Sequence, residues 1–205
     1  MVLDVVGSSP IVRPKNCHVK DSSLESFCYT TYMSLGLERG KTQVIPYEPA
    51  WRDAFLAEKS LLETGLGSTL ITLEHVGSTA VPGLAAKPII DMIGAVATFN
   101  DLGFAIQKLL PLGYEYLPQR MFASRKFFPK GPRKCRTHHL NLVIQDDQKQ
   151  WHEIILFRDY LRDHAKTRDA YAALKMRLAQ KYADDRAAYT AAKNEFIQRV
   201  LAAAR

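Results

Sequence analysis

An apolar strand carrying a single carboxylate is the feature that most restricts this chain. Pro88-Ile89-Ile90-Asp91-Met92-Ile93 reads as an interior strand, and an acid placed there costs on the order of several kcal/mol unless a metal, a base or a hydrogen-bond donor meets it. A short loop upstream stands Gly77-Ser78, closing the β-branched and apolar run from Leu70 to Val76. Glycine reaches backbone angles closed to other residues and lets a phosphate come close, and a serine hydroxyl can donate to that phosphate. A strand, a Gly-Ser turn and a second strand with one acid are how a phosphate-handling site can be written.

The alternation continues on both sides. Val44-Ile45 reads as a short strand, and Pro49 opens a helix with Trp51, Ala54, Phe55, Leu61 and Leu62 on one face. Lys87-Pro88 leads into a strand from Ile89 to Val96. Asn100 is the expected cap of a helix that ends at Pro111-Leu112-Gly113, followed by a strand from Tyr114 to Leu117. Phe127-Phe128 and His139 to Ile144 supply two further strands, and three helices fill the last third. The first 40 residues show no sustained period and read as a poorly ordered extension preceding a domain over 41–205, with translation from Met1 or from Met33 both compatible.

The string from His75 to Asp91, with Thr137-His138-His139-Leu140-Asn141, Phe157-Arg158-Asp159-Tyr160-Leu161-Arg162 and Tyr171-Ala172-Ala173-Leu174-Lys175, resembles the GrpB family. That family is of the nucleotidyltransferase (polymerase-beta-like) type. The resemblance runs over about residues 41 to 203. It implies an α/β fold, a mixed sheet flanked by helices with a C-terminal helical bundle. It also implies a metal-assisted transfer of a nucleotidyl group from a nucleoside triphosphate to a small acceptor. Enzymes of this type place two acids as Asp-x-Asp on one strand and a third on a neighbour. Here the second position is Ile93, and the neighbouring strand offers His139 and Asn141.

Three roles for Asp91 follow: a magnesium ligand helped by substrate phosphates, a general base without metal, or part of a site that binds a nucleotide without turning it over. Strand alternation puts His139 and Asn141 on one face, so the expected catalytic residues are Asp91 and His139, with Asp91 and Asn141 as metal ligands. Gly77, Ser78, Lys87, Arg120, Arg125 and Lys126 are the candidates for phosphate contact. Lys87 reads equally well as a loop lysine. Domains of this family are also found joined to dephospho-CoA kinase, which ties the binding-only alternative to coenzyme A metabolism by association.

Charge placement adds to this. Between Tyr116 and Asp146 there is no acidic residue, whereas Arg120, Arg125, Lys126, Lys130, Arg133, Lys134 and Arg136 all fall there, in a chain of net charge +7. A basic wall suits a nucleotide or another phosphorylated small molecule. RNA ranks last, because only Phe127 and Phe128 interleave as stacking residues. At 205 residues with 47% hydrophobic and 24% charged content, the composition is that of a globular domain. No apolar run approaches the roughly 20 residues needed to span a bilayer, so a cytoplasmic protein without membrane contact is expected. Cys17, Cys28 and Cys135 form no metal-ligand spacing and read as reduced thiols.

Overall fold

In the computed structural model, residues 35–38, 41–117, 125–145 and 148–205 are described. The expected extension, the Met33 start and Arg120 lie wholly or mostly outside them. The ordered elements are β1 (Leu37–Glu38), α1 (Ala50–Leu66), β2 (Thr72–Val76), β3 (Ile90–Val96), α2 (Phe99–Leu109), β4 (Arg125–Lys130), β5 (Cys135–Arg136) and β6 (His138–Ile144). The helices α3 (Gln148–Asp163), α4 (Ala165–Lys181), α5 (Arg186–Ala191) and α6 (Asn194–Ala204) complete them.

The main sheet has the order β2-β3-β6-β4. β2 runs antiparallel to β3 and β4 antiparallel to β6, while β3 and β6 are parallel. This is the mixed α/β sheet expected for the nucleotidyltransferase type. Parallel neighbours need a long crossover, which α2 and β4 provide.

Two apolar layers cover it. On one face Ile90, Met92, Val96, Leu140 and Leu142 pack with Leu73 and Phe128 against α1 and α2, through Trp51, Leu62, Leu102 and Leu109. On the other, Val76, Ile93, Ala95 and Val143 meet Trp151, Ile154 and Ile155 of α3. The remaining helices close over Val81 and Leu84, where Leu161 and Tyr171 are buried and Phe196 packs.

Several local expectations change. The cap of α2 is Thr98, not Asn100: its hydroxyl accepts from the Asp101 amide, and the Asp101 carboxylate accepts from the Thr98 amide at 3.0 Å. That reciprocal box needs an acid three residues after the cap, which Thr98 has. Of the strand expected over Tyr114 to Leu117, only Tyr114 pairs, in a single bridge to Lys130. Val44-Ile45 likewise reduces to one bridge, Ile45 with Ala86. Among the described residues the last third holds four helices rather than three. Cys135 is disulfide-bonded, so it is no reduced thiol. No helix among the described residues is long and apolar enough to cross a membrane.

Candidate functional site

The chain leaves β2 at Gly77, directly beside β3, because Val76 pairs with Asp91. Gly77 has φ +70, and a Cβ built there would stand 2.7 Å from Asp91 Oδ2. No other residue fits, for both backbone angle and space. The glycine therefore serves the close approach of the turn to the carboxylate. Ser78 opens a one-turn 3-10 helix, Ser78–Ala80, and lines, with Gly77 and Asp91, a cleft of about 340 Å³ under the C-terminal helices.

Parallel pairing aligns Asp91 with His139, and their side chains meet: His139 Nδ1 lies 3.0 Å from Asp91 Oδ1. An ionised carboxylate only accepts, so this geometry places a proton on Nδ1. His139 is buried, with the ring of Phe127 centred 5.0 Å away. The Asp91 side chain keeps 40% of its surface exposed, and that surface faces the cleft. Asn141, two residues on, shares the face but donates its amide to the Met92 carbonyl at 3.2 Å.

Ile93, at the position of a second acid, is fully buried against α3. Among the described residues no group of three or more His, Cys, Asp or Glu is placed to hold a metal. Asp91 and the Asn141 amide are oxygen donors on this sheet face, and Ser78, Glu153 and Gln198 bring further side-chain oxygens to the cleft. That set suits magnesium only in its substrate-borne form, where one or two carboxylates supplement phosphate oxygens.

The cations gathered around Asp91 come largely from outside the predicted set. Lys193 lines the cleft, and Lys175 is only 2% exposed. Lys87 Nζ and Lys193 Nζ lie 4.1 Å and 4.5 Å from the centroid of the Tyr189 ring. Lys175 Nζ sits 4.8 Å from the Tyr171 ring centre and donates to the Ala85 carbonyl. Burial pulls Lys87 and Lys175 down to about 7, reinforced by Arg186 and Lys193 at Lys87 and by Lys193 at Lys175, while Asp91 opposes the fall at both. Burial lowers Lys193 too. Desolvated ammonium groups whose nearest partners are aromatic faces and a carbonyl favour an incoming anion. Lys175 and Lys193 each follow a buried tyrosine by four residues, Tyr171 and Tyr189. Within α4 that spacing puts Lys175 on the stripe of Tyr171, and it was the available signal, whereas Lys193 stands in the turn between α5 and α6.

The basic segment does not make one wall. Arg125 lies on the sheet face of His139, and Asp91 is the charge that steadies its cation against burial. Lys126 alternates to the opposite face. Lys130 pairs with Glu58, and Arg133 and Arg136 pair with Glu115. Arg158 lines the cleft but is committed to Glu74, at 2.7 Å, and to Asp159, at 2.8 Å. His75 bonds Thr79 at 3.0 Å and stacks on Phe55, and burial lowers it to about 4, so it acts as a structural histidine.

The family described as GrpB protein matches residues 41–203. A UPF0157 protein of Pseudomonas aeruginosa is 39% identical over 78% of this chain and 66% of its own length. The UPF0157 protein YqkA of Bacillus subtilis is 35% identical over 77% of this chain and 46% of its own. The chain thus spans two thirds or less of these two relatives. The crystal structure of the conserved protein GrpB from Enterococcus faecalis aligns with a TM-score of 0.74 at 34% identity, covering 79% of this chain and 96% of that one.

Proposed function

The chain belongs to the GrpB family, and from its own cleft we propose that it transfers a nucleotidyl group from a nucleoside triphosphate to a hydroxyl of a small acceptor. One observation carries this reading: Asp91 is held by His139 through one oxygen while its other edge lies against the Gly77-Ser78 turn, in a cleft that Lys193 lines. A carboxylate oriented by a histidine and open on one side is a base with an orienter.

In this reading Lys193, Lys175 and Lys87 draw the phosphate tail, and the Ser78 hydroxyl donates to a phosphate oxygen. Asp91 takes the proton of the acceptor hydroxyl as that oxygen bonds to the α-phosphorus. The bond from the α-phosphorus to its bridging oxygen breaks, and pyrophosphate leaves with its charge compensated by the lysines. His139 keeps Asp91 in place through Nδ1. Magnesium arriving with the nucleotide supplies further charge neutralisation, and Asp91 and Asn141 are the residues that would hold it.

A second reading, binding of a nucleotide or phosphometabolite without turnover, is favoured by Ile93, sealed where a second acid would stand. Calorimetry with ATP, with and without magnesium, joined to pyrophosphate release over an acceptor panel, separates the two. Transfer requires release that Asp91→Asn abolishes. Binding unchanged in Asp91→Asn, with no release on any acceptor, removes the transferase reading and leaves the binding one.

A further inference from the structure

The Gly77-Ser78 turn has a second cavity behind it. Its volume is about 510 Å³, larger than the cleft at Asp91, and Tyr47, Arg52, Phe55, His75, Arg162 and Arg168 are among its lining residues. Thr79 and Ala80 also line it, whereas Gly77 and Ser78 line the cleft in front. The two spaces are thus divided by one short segment. β2 explains the division, because alternate residues point to opposite faces: Val76 joins the α3 side while His75 stacks on Phe55 of α1.

The chemistry of this cavity is distinct. Among the described residues three guanidinium groups line it and no carboxylate does. Arg162 is committed, donating Nε at 3.0 Å and Nη2 at 2.8 Å to the Ala80 carbonyl and Nη1 at 3.0 Å to Asp159. Arg168 spends Nε on Asp169 at 3.0 Å, which leaves its Nη groups over Gly83, 3.6 Å from a Cβ built there. The Arg52 side chain makes no ion pair or hydrogen bond among the described residues. Beside the arginines stand aromatic rings: Tyr47 is edge-on to Trp51 with centroids 5.4 Å apart, and Phe55 is stacked on His75 at 4.7 Å.

Planar forks from arginine match phosphate oxygens two at a time. A concave volume of a few hundred Å³, apolar on one wall with a few converging polar groups, is the usual form of a small-molecule site. We propose that this cavity is a second ligand site, taking a phosphate monoester attached to an aromatic ring, with the phosphate between Arg52 and Arg168 and the ring on the side of Tyr47 and Phe55. The site is independent of whether Asp91 is catalytic. Its occupant stands against the back of the segment that Arg162 fixes, and so against the wall of the cleft in front.

Trp51 makes the test direct, because it touches Tyr47 from within α1. In a Trp151→Phe background it is the sole tryptophan, and AMP, inorganic phosphate and adenosine are titrated while its emission is followed; calorimetry on the unsubstituted protein counts the sites. AMP is expected to give a saturable change, with phosphate and adenosine each binding more weakly. Arg52→Gln with Arg168→Gln is expected to weaken AMP by about 10-fold or more, as loss of charge-assisted bonds predicts, with an unchanged melting temperature. Asp91→Asn is expected to leave it unaltered. No saturable response to AMP overturns the site. A response lost in Asp91→Asn but kept in the arginine double variant assigns the signal to the front cleft and equally overturns it. Adenosine binding as tightly as AMP removes the anion from the proposal, and phosphate binding as tightly removes the ring.

Discussion

Glu58 and Asp91 are carboxylates on core elements of the same domain, and they are treated in opposite ways. Glu58, on α1, is 6% exposed. It accepts from Lys130 Nζ at 2.7 and 2.9 Å and from the Tyr114 hydroxyl at 2.7 Å, with His138 Nε2 3.9 Å away. Three hydrogen bonds hold it, through both oxygens. Burial, together with Glu58, holds Tyr114 well above its usual value, and burial lowers His138 to about 4. Among the described residues the Asp91 side chain is hydrogen-bonded by His139, and the lysines near it lean on tyrosine faces. A saturated buried carboxylate is a structural tie, whereas one left short of donors amid desolvated cations is waiting for a ligand.

The strongest way to break that contrast is Glu58→Ala. It strands the Lys130 ammonium, and breaking a buried pair costs about 3 to 5 kcal/mol, so urea unfolding is expected to show a loss of that order. A loss under about 1 kcal/mol would mean that the network is not a tie. Gly77→Ala comes next. Its positive φ and the approach of Cβ to Asp91 Oδ2 predict a loss of about 1 to 3 kcal/mol, and ATP binding should fall with it in calorimetry. Retention of both would mean that the turn can move off Asp91.

Lys193→Gln sharpens the other half of the comparison. It is expected to lower ATP affinity about 10-fold, the loss of one charge-assisted contact, while the midpoint of urea unfolding holds or rises, because a desolvated cation has been removed. An unchanged affinity would take Lys193 out of the phosphate site. The pH dependence is a smaller effect. Lys87 and Lys175 titrate at about 7 in the fold against 10.5 ordinarily. Below about 7 both states are protonated and the fold bears the full cost of burying the charges. Between about 7 and 10.5 the unfolded chain holds more protons, so stability rises with pH. An anion favours the charged lysines, so ATP affinity is expected to fall several-fold from pH 6.5 to pH 9, as this linkage requires. A flat profile would show that these lysines do not meet the ligand. Smallest is Asp91→Asn without ligand, where a change below about 1 kcal/mol is expected because the group is partly exposed and singly bonded.

The sequence was informative where one period governed the outcome. Strand alternation put His139 and Asn141 on one face, and the apolar stripe of α1 was readable from Trp51, Ala54 and Phe55. It was uninformative where a tertiary partner decides. Seven bases in an acid-free stretch suggested a wall, but Glu58, far back on α1, and Glu115, just before the stretch, claim Lys130, Arg133 and Arg136. Lys175 and Lys193 went unread because a lysine on a helix or in a turn is ordinarily solvated; only docking of the last helices onto the 77–87 loop buries Lys175 and half-buries Lys193.

The parallel alignment of β3 with β6 also governs when this site comes into being. Asp91 and His139 meet across a ladder that forms only after the intervening crossover has closed, and Lys193 joins from beyond α5. Long-range pairings of this kind are slow, since chain closure must precede any contact that rewards it. A partly folded molecule can hold the back network's α1 in shape and still have no assembled cleft. Capture of the proposed nucleotide during refolding, followed in a stopped-flow trace, is therefore expected to report a late step of assembly and not the first.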